Sequence, residues 1–119
     1  MLALAATMAG CGGGLYLEVT DPYGPPPSIS LTASSGVARR GDLVRLSAAI
    51  SATNGIDRIT FYRIDPGVST SLAVLYGPPA QLDTPIPLNA GSSVGYWAKV
   101  CDSAGYCSES ATVTVQVVP

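Results

Sequence analysis

The tightest constraint on this chain is the alternation of apolar and polar residues in short runs. From Ala111 to Val118, Val113, Val115 and Val117 fall on one side, and Thr112, Thr114 and Gln116 on the other. A β-strand sends successive side chains to opposite faces, so such a run predicts a strand with one buried face. The period recurs in Ser28–Ala33, which groups Ile29, Leu31 and Ala33, and in the run that sets Val44, Leu46, Ala48 and Ile50 against Leu43, Arg45, Ser47 and Ala49. It recurs again in Ile56–Ile64, with Ile59 and Phe61 opposite Arg58, Thr60 and Tyr62, and in Val94–Asp102, with Tyr96, Ala98 and Val100 opposite Trp97, Lys99 and Cys101. Turn sequences separate the runs: Arg40-Gly41-Asp42, Thr53-Asn54-Gly55, Asp65-Pro66-Gly67 and Asp102-Ser103-Ala104-Gly105. Weaker strands are expected near Leu72–Leu75 and Pro85–Leu88, for about seven in all. Strands with one apolar face each are satisfied by two antiparallel sheets packed face to face. Prolines around the weaker pair confine it to sheet edges and argue against open-ended strand pairing.

The N-terminus obeys a different rule. Residues 1–10, MLALAATMAG, carry no charge. They are too few to span a bilayer, which takes about 20 apolar residues, but match the roughly 7–15 of a secretory signal's apolar region. Met8-Ala9-Gly10-Cys11 resembles the lipobox of bacterial lipoproteins, which implies that Cys11 is acylated and anchors the chain to a membrane. The first charged residue is Glu18, whereas a secretory signal begins with Lys or Arg. Either the true start lies upstream of Met1, or Cys11 is an ordinary exposed cysteine after an apolar stretch. Residues 11–27 read as a tether: Gly12-Gly13-Gly14 is flexible, and Pro22 with Pro25-Pro26-Pro27 favours extended polyproline II. At full stretch it reaches about 50 Å. Leu15–Thr20 alternates weakly and could form a stray edge strand. Residues 28–119 are then the folded domain, exported to the bacterial cell envelope, either periplasmic or surface-exposed.

Within that domain, Val44-x-Leu46-x-Ala48, Ile56-x-x-Ile59-x-Phe61-Tyr62, Tyr96-x-Ala98-x-Val100-x-Asp102-x-x-Gly105 and Val113-x-Val115-x-Val117 resemble a bacterial immunoglobulin-like domain. The resemblance implies an immunoglobulin-like antiparallel β-sandwich of about 100 residues. Domains of this kind serve as spacers, adhesion modules and enzyme accessories, so the fold leaves the role open. The resemblance also places Cys101 and Cys107 opposite each other across a hairpin, where a disulfide can close, and an exported location favours oxidation. With Cys101 on the outward side of its strand, such a bond would lock the hairpin rather than join the sheets. A zinc site would need more ligands than a chain with no histidine offers, and a redox pair usually has closer spacing.

Chemistry is sparse. The absence of histidine excludes a Ser-His-Asp or Cys-His arrangement within the chain. Lys99 is the only lysine and the net charge is -2, so no basic patch points to nucleic acid. The acids fall mostly in turns, where Asp bonds backbone N–H groups. Asp57, Asp65 or Asp102 could contribute to a calcium site, but no calcium-loop spacing appears. Arg40-Gly41-Asp42 matches an integrin-recognition tripeptide and is also ordinary turn sequence. The sequence therefore points to no enzyme, cofactor or metal. The aromatics are the better lead. If the strands of Phe61 and Trp97 are neighbours, Tyr62 and Trp97 share the outer face, with Thr60 and Lys99 beside them. That face suits a protein or glycan partner. It equally suits cross-strand packing with no ligand, in a passive structural domain.

Overall fold

A computed structural model describes residues 24–119; the expected signal segment, Cys11 and the tether as far as residue 23 lie outside the described residues. Among the described residues nine strands form: β1 (Ser28–Ala33), β2 (Val37–Arg39), β3 (Leu43–Ser51), β4 (Ile56–Asp65), β5 (Val68–Leu75), β6 (Gln81–Pro85), β7 (Ser93–Asp102), β8 (Cys107–Glu109) and β9 (Val113–Val118). They build a small sheet in the order β1-β3-β6 and a large one in the order β2-β9-β7-β4-β5, with β8 also on β7. The alternating residues meet between the sheets. Val44, Leu46, Ile59, Phe61, Tyr96, Ala98, Val100 and Val115 are each at most 1% exposed. Burying a Val, Leu, Ile or Phe side chain contributes about 1.5–3 kcal/mol, which is why the period-two pattern dictates which face turns inward.

Several expectations need correction. The two strands beyond about seven are the three-residue β2 and β8, too short to show a period. β2 runs parallel to β9, with Val37 opposite Gln116, so the sandwich is not wholly antiparallel. The strand expected at Pro85–Leu88 lies upstream at Gln81–Pro85, where Leu82 and Thr84 face inward around Asp83; it ends where Pro85 and Pro87 lack N–H groups to donate. Leu72–Leu75 is the second half of the longer β5. As the prolines imply, β5 and β6 are both sheet edges.

Local chemistry fixes the turns. Asp65 and Val68 pair across Pro66-Gly67, and Gly67 has φ +78°, the left-handed conformation that the third position of a type II turn requires. Between β8 and β9 the ladder on β7 is carried by one residue: Ser110 Oγ accepts from Ala98 N–H (2.9 Å) while Ser110 N–H donates to Ala98 O (2.8 Å). At the start of the domain Pro27 is buried, and its carbonyl accepts from Ser108 Oγ at 2.5 Å. One polar core atom stands apart: Tyr96 Oη is buried without a hydrogen-bond partner among the described residues. Burial raises the Tyr96 pKa above its ordinary value, with Arg63 opposing and Asp65 adding to the shift.

Candidate functional site

The outer face of the large sheet is set by register. β4 and β7 pair so that Tyr62 opposes Trp97 and Thr60 opposes Lys99, which brings the four expected residues together in two adjacent rows. The Tyr62 and Trp97 rings stack with centroids 4.0 Å apart and planes 11° from parallel. Both are half-buried, and no strand of the described residues packs over them. The indole reaches past β4: Trp97 Nε1 donates to Ser69 Oγ on β5 at 3.2 Å. Ser71 lies opposite Tyr62 at the rim of the pair. The ion pairs of the described residues are Arg45–Asp83, Arg58–Asp57 and Arg63–Asp65, so the ammonium of Lys99 is uncommitted although Glu109 is its register partner. Thr60 differs from the other three. It is 7% exposed, between Val74 and Lys99 in an interior strand, and adds almost no accessible surface.

Gly95 shapes the floor beside Trp97. A Cβ there would lie 3.0 Å from Ile64 Cδ1 and 3.3 Å from Thr112 Cγ2, so the missing side chain is what lets Ile64 fold across the strand. Ser69 and Ile64 were not among the expected residues. β5 carries an extra residue at Leu72, where its register on β4 shifts, and counting along the sequence cannot place Ser69 beside Trp97 without that bulge.

The cysteines form the Cys101–Cys107 disulfide, joining directly opposed residues of β7 and β8. Cys101 is nevertheless only 2% exposed, not open on the outer face as alternation suggested, yet it stays outside the apolar core cluster. The enclosed turn is held by Asp102, whose Oδ1 accepts from Ala104 N–H at 3.0 Å and Tyr106 N–H at 2.8 Å, while Oδ2 accepts from Asn54 Nδ2 at 3.3 Å. Burial alone would raise the pKa of this carboxyl. The N–H groups of Tyr106, Ala104 and Gly105 and the Asn54 amide outweigh it and hold the group below the ordinary value.

Asp42, Asp57, Asp65 and Asp83 are committed to neighbours. Asp65 accepts from Arg63 at 2.9 and 3.2 Å and from the Thr70 hydroxyl, which keep its pKa low against the opposing effect of burial. Asp57 pairs with Arg58 at 2.7 Å. Among the described residues no cluster of three or more His, Cys, Asp or Glu could hold a metal ion. In the Arg40-Gly41-Asp42 turn, Arg40 Nε donates to Ala90 O at 2.8 Å and Asp42 Oδ2 accepts from Arg39 N–H at 3.0 Å, so both charged ends brace the loop.

No family model matches the sequence, and no curated protein matches it. Among solved structures, the chain is similar to the fibronectin(III)-like modules of Clostridium thermocellum CbhA, with a TM-score of 0.62 and 17% identity over 76% of this chain and 94% of that one. It is also similar to Spo0M, a sporulation control protein from Bacillus subtilis, with a TM-score of 0.52 and 8% identity over 80% of this chain and half of that one. At these identities the likeness shows the fold alone. The fold is an immunoglobulin-like all-β sandwich, of the kind seen in fibronectin(III)-like modules.

Proposed function

We propose that this chain is an exported, non-enzymatic lipoprotein of the bacterial cell envelope, held to a membrane through Cys11. Its immunoglobulin-like domain binds a protein or glycan partner through the face built on Tyr62 and Trp97. The observation that carries this reading is the stacked ring pair on a sheet face that no described strand covers, flanked by an uncommitted Lys99. Rings fixed by stacking and by the Ser69 bond lose little conformational freedom on binding, which favours contact with a sugar ring or a partner's apolar side chain. The Cys101–Cys107 bond supports export, because disulfides persist in oxidising compartments.

A second reading has its own support. Trp97 already satisfies its N–H within the domain, and both rings are half-buried, as expected of a cross-strand pair in a passive spacer. Trp97 is the only tryptophan, so its emission reports on this face alone. The test is titration of the full chain with fractionated envelope polysaccharides and envelope proteins, alongside Tyr62→Ala. The binding reading predicts a saturable emission change with at least one fraction and its loss in the variant. A flat response to every fraction, or an unchanged response in the variant, favours the spacer.

A further inference from the structure

We propose that two copies of this chain associate through β5, edge to edge and antiparallel, continuing the large sheet across a two-fold axis. β5 is the last strand of that sheet and pairs only with β4, so its outer row of N–H and C=O groups faces no strand among the described residues. Sheet edges usually carry a device against such pairing: short length, charge, proline, a β-bulge or a covering segment. The other edges each have one, and β8 is only three residues long. β2 is three residues long and runs into Arg39 and Arg40. β6 carries Asp83, paired with Arg45, and ends at Pro85. β1 lies against β8 and β9 of the opposite sheet, next to the Ser108–Pro27 bond. β5 is eight residues, VSTSLAVL, with no charge and no proline; its one irregularity is the bulge at Leu72, and it leaves Val68 61% and Val74 40% exposed.

A second copy is the occupant that the register favours. In an antiparallel pair, directly opposed residues share a face. A regular eight-residue strand in full overlap with itself would set each inward residue against an outward one. The extra residue at Leu72 corrects this parity. Val68 then opposes Leu75 and Thr70 opposes Ala73 on the inner side, while Ser69 opposes Val74 on the outer side, in agreement with the faces these residues take against β4; only the central pair at the axis, outward Ser71 against core-packed Leu72, falls on opposite faces. A neutral edge also lets two copies of a chain with net charge -2 approach without a like-charge contact at the seam. Eight residues at about 3.4 Å each give an edge about 27 Å long, and a seam one strand wide belongs with the small, weak interfaces, so the association is weak.

The test is sedimentation velocity on the full chain from about 10 µM to 1 mM, with Val74→Lys, Val68→Lys and, as a control in the β6–β7 loop, Leu88→Lys. The wild type and Leu88→Lys should dimerise with rising concentration, and each β5 variant, folded by circular dichroism, should weaken the dimer at least tenfold. Backbone hydrogen exchange in β5 of the wild type should slow as concentration rises, a readout that does not depend on how the variants fold. A monomer throughout the range, a dimer equally strong in the β5 variants, or β5 exchange independent of concentration overturns the proposal.

Discussion

Reducing the Cys101–Cys107 bond perturbs one covalent link and leaves every side chain in place. The bond closes a ring of the seven residues from Cys101 to Cys107. In the chain-entropy account, freeing a ring of that size in the unfolded state costs the native state about 2.4 kcal/mol. The native hairpin has other supports that survive reduction: the Asp102 carboxylate on Ala104 and Tyr106, and Ser108 on the Pro27 carbonyl. Reduction should therefore lower stability without unfolding the domain at room temperature. For a domain of this size, about 4–8 °C per kcal/mol gives a fall in Tm of about 10–20 °C. The assay is urea unfolding of oxidised and reduced protein, followed by far-ultraviolet circular dichroism, with thermal melts in parallel. Because the ring is short, the denaturant slope should hardly change. Two results would refute the reasoning: stabilities equal within about 0.5 kcal/mol, or loss of the sheet signal on reduction before any denaturant is added. The second would mean that Asp102 and Ser108 cannot hold the hairpin alone.

Other expectations follow from the same contacts. Tyr96→Phe removes a buried hydroxyl that has no partner among the described residues and should stabilise the domain by about 1 kcal/mol in urea titration; a loss of stability would reveal a hydrogen bond at Oη. Because burial raises the folded-state pKa of Tyr96, its titration costs no stability below the ordinary value of 10.0, and stability falls as pH rises from there through the folded value, so alkaline melts of Tyr96→Phe should lack that loss. Asp65, Asp83 and Asp102 behave in the opposite sense. Their lowered pKa values stabilise the fold at neutral pH, and this stability drains away as pH falls below the ordinary 3.8; Asp102→Ala should lower Tm by several degrees at pH 7 and flatten the acid limb of the melting curve. Gly67→Ala places a Cβ in open space but at φ +78°, so backbone strain of about 1–2 kcal/mol should appear in its unfolding free energy, whereas an unchanged value would show that the turn relaxes.

The parts of this fold legible in the sequence are those where burial alone sets the pattern. β3, β4, β7 and β9 each bury one face against the opposite sheet, and their alternation identified the inward residues and the Tyr62–Trp97 row. β2 and β8 were invisible because three residues carry no period, and β8 exists through the disulfide and the Ser110 bonds to Ala98. β6 was displaced because the apolar Ile86 and Leu88 outweighed Asp83, whose exposed position across from Arg45 makes it an ordinary outward residue. At the candidate site, alternation grouped Thr60 with Tyr62 but could not show that neighbouring strands would bury it. The bulge at Leu72 hid both the approach of Ser69 to Trp97 and the parity that suits β5 to pairing with itself.

The central claim is that the Tyr62–Trp97 face meets a partner. The most direct measurement places a photoreactive residue at Lys99, two positions from Trp97 with the ring pair intact, and another at the outward Gln116 as control. Both proteins are irradiated in the native envelope and their adducts read by mass. The account predicts a discrete adduct at 99, none at 116, and loss of the first when Trp97→Ala is added to a folded protein. No adduct at 99, or one that survives Trp97→Ala, would contradict it.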